Sequence, residues 1–128
     1  MANLTHAMLL KVINKTFSVC KVTHYSEVEL RSHFVFIAKT HGECSLVCQT
    51  SKTPSNTTER DDGWPAFRIE RILHFSLIRI LAKISTCLAE NGIGIFAIST
   101  FNTDYILTKA ENFEKAVKTL EAEGYKIC

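Results

Sequence analysis

The chain has 128 residues, of which 46% are hydrophobic and 22% charged, with 15 Lys and Arg against 13 Asp and Glu. That length holds one ordinary core, or two small units that share one, and the composition excludes wholesale disorder and a membrane span. A formal charge of +2 with the two signs interspersed lacks the broad positive field that gathers nucleic acid or an acidic membrane surface, so neither partner is expected.

In chain order, Met1–Lys15 has only a brief apolar run and no cleavage pattern after a sustained apolar region, which points to a soluble cytoplasmic protein. A strand is expected over Phe17–Val22. Two further strands, around Val35-Phe36 and Leu46-Val47, flank a His41-Gly42 turn. The segments near Tyr25–Arg31 and Pro54–Glu59 are too short and polar for stable helices. Thr50–Gly63, with Pro54 and the Asp61-Asp62-Gly63 run, reads as a linker or surface loop between two halves, 1–62 and 63–128.

After Gly63 the pattern sharpens. Phe67 and Ile69 alternate with charged residues as in a half-buried strand that ends near Glu70. Leu77, Leu81, Ile84 and Leu88 recur at helical spacing between Ser76 and Asn91, and Asn91-Gly92 supplies a helix stop. Ile93–Thr100 and Tyr105–Lys109 are apolar strands joined by a tight connection at Phe101–Asp104. Phe113, Ala116, Val117 and Leu120 mark a second helix over Glu111–Glu123, with Gly124 at its stop, and Tyr125–Ile127 closes the chain as a short strand. The order is βαββαβ, an α+β, ferredoxin-like unit with both helices on one face of a four-stranded antiparallel sheet. Set sixty positions apart, Val35-Phe36 matches Ile95-Phe96, Thr40 matches Thr100 and Leu46-Val47 matches Ile106-Leu107, so the first half reads as a degenerate copy of the second.

Five cysteines without close C-x-x-C pairs fit neither a disulfide framework nor a zinc ribbon, and read as reduced thiols. Cys44 and Cys48, with His41 or His33, have the residue types for a metal. A four-residue separation along a strand holds their sulfurs apart, so no metal is expected. Gly92-Ile93-Gly94 follows a helix rather than preceding one, so it is no phosphate-binding fingerprint and no cofactor is expected. Ser76, His74 and Asp104 have the residue types of a triad without an arrangement that orients a base, and no catalytic residue is assigned.

Gly63-Trp64, Phe75-Ser76-Leu77 and the block Ile93–Leu107, followed by the acidic opening and apolar stripe of the last helix, resemble the ACT-domain proteins with paired units, particularly the small bacterial relatives of the CASTOR arginine sensors. The resemblance implies a regulatory, non-enzymatic protein: an ACT domain at 63–128, a degenerate ACT-like unit at 1–62, sheets side by side, and an amino acid or similar small zwitterion bound between the units. It also places ligand-binding residues at His74, Phe75, Ser76, Thr100, Phe101 and Asp104. A zwitterion needs donors for its carboxylate, which N–H groups at a helix opening supply, and an acceptor for its ammonium group, which Asp104 supplies. Thr and Asp at these places equally serve a turn by bonding nearby backbone. The chain departs from the family pattern at Arg71, Ile72, Leu73, His74 and Arg79, where many relatives have Gly-Pro-Leu-Asp and a helix glycine. Arg71, His74 and Arg79 support the alternative of a constitutive dimerisation or partner-binding module without ligand. A homodimer is expected in either case, because two small units leave apolar surface and strand edges to cover.

Overall fold

The computed structural model describes residues 9–70 and 77–128, the side chains of residues 77–79 excepted. Its elements run β1 (Leu9–Val22), β2 (Phe36–Lys39), β3 (Cys44–Gln49), β4 (Thr57–Glu70), α1 (Leu77–Glu90), β5 (Phe96–Ser99), β6 (Asp104–Leu107), α2 (Ala110–Ala122) and β7 (Lys126–Ile127), with a turn of 3-10 helix at Thr50–Lys52. The chain divides into two compact units, Met1–Asn14 with Pro65–Cys128, and Lys15–Trp64, so the division falls within β1 and within β4. Residues 9–14 therefore group with the second half of the chain, whereas a division at residue 62 leaves them in the first.

In the unit that contains both helices, β5 pairs antiparallel with β6 and β6 with β4, in the register Phe67 to Ile106 and Ala97 to Ile106. The strand order is β5-β6-β4-β1, with β7 against β1. This corrects the expected four-stranded antiparallel sheet: the start of β1 stands between β4 and β7 as a fifth strand, and β7 runs parallel to it, Leu9 opposite Lys126. The cause is chemical as well as topological. Leu10 is fully buried and Ile13 nearly so, and the Leu10 carbonyl and Val12 N–H take backbone hydrogen bonds from and to Cys128.

Leu10, Phe67, Ile69 and Ile106 from the strands meet Ile80, Ile84 and Leu88 of α1 and Ala116 and Leu120 of α2 in one core. Ile80, Ile84 and Leu88 stand four residues apart, so they form a single apolar stripe along α1. Both helices end in the same way. Gly92 at φ +74° and Gly124 at φ +100° turn the chain through the left-handed region, Ile93 N–H reaches the Leu88 carbonyl, and Tyr125 N–H reaches the Leu120 carbonyl. In each case the next side chain, Ile93 or Tyr125, drops into the core, as a Schellman stop requires. This is why Ile93 ends a helix rather than beginning the expected strand, and β5 starts only at Phe96.

In the unit Lys15–Trp64 the order is β2-β3-β1-β4. Among its described residues there is no α-helix, only the 3-10 turn. The thirteen-residue connection from β1 to β2 covers one sheet face instead: Tyr25, Val28 and Val35 pack on Cys20, Val22, Leu46 and Cys48. Tyr25 Oη donates to the Ser45 carbonyl at 2.9 Å, and Ser55–Glu27 and Asn56–Thr23 hydrogen bonds tie the connection down. Phe34 sits at φ +63°, its ring edge-on to Phe17 at 5.9 Å.

The reading of Thr50–Gly63 as a linker is corrected by β4, whose first half is Thr57–Trp64. Its polar side chains stay exposed, yet some of them find partners across the sheet. Lys21 meets Glu59 at 3.3 Å and Ser18 bonds Asp62, positions that descend on β1 as they ascend on β4, so the strands are antiparallel. Ser18 is fully buried and lies within 3.0 Å of the Thr50 hydroxyl. A serine has one proton for these two neighbours. The Asp62 carboxylate only accepts, so it takes that proton and Thr50 donates to Ser18.

All five cysteines are free thiols. Burial pushes the Cys20 thiol up to about 11, with Cys48 the next cause, and burial also raises Cys48, Cys87 and Tyr125. The folded protein then keeps protons that the unfolded chain releases above the ordinary thiol value of 9.0. Stability is therefore expected to fall as pH rises from about 9 to about 11. Urea midpoints across that window test this, and Cys20→Ala should make the decline shallower. An unchanged midpoint throughout would contradict it.

Candidate functional site

The hairpin between β5 and β6 and the last residues of β4 border an open cleft of about 380 Å³, lined by Arg68, Ile69, Glu70, Asn102, Thr103 and Tyr105. Clefts that hold small molecules begin at about 300 Å³. The hairpin has a four-residue loop, Thr100–Thr103, with Ser99 opposite Asp104. Thr100 N–H and Oγ1 both donate to the Thr103 carbonyl, at 2.9 and 2.7 Å, and Thr103 N–H returns to Thr100 Oγ1 at 3.3 Å. Thr103 Oγ1 donates to the Ile69 carbonyl, which pins the hairpin to β4.

Alternation along β4 sends Phe67 and Ile69 into the core and turns Arg68 and Glu70 to the opposite face. Register puts Arg68 beside Tyr105. Arg68 Nε donates to Glu70 Oε2 at 2.7 Å, with each side chain about one-third exposed, 31% and 33%. The Glu70 hydrogen bond, then one to Tyr105, hold the guanidinium above its ordinary range. The site thus offers a fixed cation, a fixed anion, a phenol and the Asn102 amide around one concavity.

Of the residues expected at a site, Thr100 spends its hydroxyl on the hairpin turn, Phe101 stands at the tip with its side chain wholly exposed, and Asp104 is buried at the start of β6. His74, Phe75 and Ser76 lie outside the described residues. The cleft itself is lined by Arg68, Glu70, Asn102, Thr103 and Tyr105 with Ile69, residues not expected at a site from the sequence. The signal for Arg68 and Glu70 was their alternation with Phe67 and Ile69. Without the register that sets Tyr105 opposite Arg68, it reads as an ordinary solvated face.

A second cavity, of about 440 Å³, lies along the last turns of α1 and is lined by Lys83, Cys87, Glu90, Asn91 and Glu123 among others. Cys87 is the reactive residue type there, but burial first, then Glu123 and Glu90, raise its thiol, which opposes thiolate formation. Among the described residues no three His, Cys, Asp or Glu side chains come together as metal ligands, and no helix is long and apolar enough to cross a membrane.

The hairpin, the two helices and the cleft fall largely within residues 59–122, which match the model of the ACT domain. No curated protein matches the chain. Among solved structures, a protein from Agrobacterium tumefaciens is 27% identical, with a TM-score of 0.84 over 94% of this chain and 92% of that one. A protein of unknown function from Vibrio cholerae is 17% identical, with a TM-score of 0.72 over 94% and 92%. Aspartate kinase from Clostridium acetobutylicum is 16% identical, with a TM-score of 0.66 over 91% of this chain but 34% of the kinase. The last two likenesses concern fold alone. With half of its length matched by that model, this chain belongs to the ACT-domain family.

Proposed function

We propose that the chain is a non-catalytic regulatory module that binds an amino acid at the hairpin cleft. The observation that carries this reading is the cleft itself, a small-molecule-sized concavity with fixed opposite charges, beside the Thr100–Asp104 hairpin to which the resemblance assigns ligand contacts. The Clostridium kinase that shares the fold is described as an allosteric enzyme, which supports a regulatory role here. The likeness of Ile93–Leu107 to the arginine-sensing proteins makes amino acids the first ligands to test. Asp104 and the segment His74–Ser76 remain part of the proposed site, with Thr100 shaping the turn.

Thermal unfolding of the purified chain against each standard amino acid tests this. A ligand of the native state adds RT ln(1 + [L]/Kd), about 2.7 kcal/mol at one hundred times Kd, so the midpoint should climb with concentration. A flat response to all of them would favour the reading without ligand.

That second reading has its own observation. β5 is the end strand of its unit, its four residues Phe96–Ser99 carry no charge, and Phe101 beyond it is fully exposed. An end strand without charges pairs readily with another strand. A homodimer is expected by light scattering, and Ala97→Lys, at an exposed position on that edge, should shift it toward monomer. A monomer at every concentration would remove this reading.

A further inference from the structure

We propose that the outer edge of β2 takes an extended segment of another protein as an added strand, one that carries an acidic residue two positions from an apolar one. β2 is the end strand of its unit and pairs with β3, in the register Ile37 to Leu46 and Lys39 to Cys44. The Thr40 N–H donates to the Glu43 carbonyl at 2.9 Å, which makes Thr40 and Glu43 a hydrogen-bonded pair. Alternation along an antiparallel ladder then turns the N–H and C=O groups of Phe36, Ala38 and Thr40 toward β3, and those of Ile37 and Lys39 outward. Among the described residues no turn or loop backbone group bonds the outward ones.

The side chains decide what pairs there. Ile37 and Lys39 stand two residues apart and so share one face of the strand. Ile37 is 43% exposed, Lys39 is exposed, and among the described residues no ion pair engages Lys39. A lysine on an end strand opposes pairing with a second copy. In a symmetric antiparallel pair of β2 edges, the positions that can oppose Lys39 are Val35, Ile37, Lys39 and His41, and none is acidic. A foreign strand with Asp or Glu opposite Lys39 turns the same charge into attraction, and an apolar residue two positions away covers Ile37. In such strand addition the main-chain bonds supply affinity and alternate side chains supply selectivity. This edge is separate from β5, whose four residues carry no charge.

The test is amide NMR of the isotopically labelled full chain during titration with two synthetic peptides, Thr-Val-Thr-Glu-Thr-Val-Thr blocked at both ends and its counterpart with Lys in place of Glu. The Glu peptide should give saturable shifts centred on Ile37 and Lys39 and slow the hydrogen exchange of those two amides. The Lys peptide should bind about five-fold more weakly, the scale of exchanging an opposite-charge cross-strand pair for a like-charge one. Lys39→Glu should reverse that preference. Ile37→Pro removes an outward N–H without touching the ladder to β3, and should abolish binding. The comparison of the two peptides uses the wild-type protein and stands even if a variant fails to fold. Equal affinity for the two peptides, shifts centred on another part of the chain, an unchanged preference in folded Lys39→Glu, or no binding of the Glu peptide overturns the proposal.

Discussion

Phe67→Ala is expected to lower the unfolding free energy by about 3–5 kcal/mol, the range for removing a buried aromatic ring. Phe67 has no exposed surface, lies in the core with Ile84, Leu88 and Leu120, and has its ring centroid 6.2 Å from that of Phe113. It also sits in the β4–β6 register, opposite Ile106. The strands fix the backbone on either side, so the space cannot close by local collapse and the lost contacts stay lost. Phe101→Ala is the matched control, because the same side chain at the hairpin tip is fully exposed and its removal should change stability by no more than about 0.5 kcal/mol. Urea unfolding of the two variants gives both numbers. Equal costs would mean that the core is not where the structure puts it.

Ser18→Val is expected to cost about 1–3 kcal/mol in the other unit. The substitution leaves the chain β-competent but removes the proton that Asp62 accepts and the oxygen that Thr50 donates to. Asp62 is also gripped by Arg60 at 3.1 and 3.2 Å, so the carboxylate keeps one partner and its side chain keeps partial access to water. That sets the cost at a lost hydrogen bond in a fully buried setting rather than at a stranded charge. Denaturant unfolding measures it, and a neutral result would show that Ser18 is not part of a bonded cluster.

The helical half of the fold is legible in the sequence because its periodicities are local. Ile84 and Leu88 mark the stripe of α1, and Gly92 and Gly124 mark positions that only a residue tolerant of positive φ fills without strain. The first halves of β1 and β4 are not legible, for a different reason in each. Leu9-Leu10-Lys11-Val12-Ile13 does not alternate, because both neighbours of Lys11 on either side face apolar or partly buried surroundings. Thr57–Asp62 looks like a solvated loop because its polar residues find their partners on β1, which composition cannot show. The candidate site shares this difficulty. Thr100 and Asp104 are the residue types of a binding hairpin, yet the same types build the turn, and the structure uses Thr100 for the turn. Arg68 and Glu70 acquire meaning only when the register sets them beside Tyr105 and Thr103 at one concavity.

The proposed function requires that a free amino acid bind in the cleft between the hairpin and the end of β4. Backbone amide NMR of the isotopically labelled chain during titration with the amino acid that raises its melting temperature tests this most directly. Saturable shifts are expected, centred on Arg68, Glu70, Asn102, Thr103 and Tyr105, with little change at the second cavity around Cys87 and Glu123. Shifts centred on that second cavity, or none at the hairpin when binding is saturated, would contradict it.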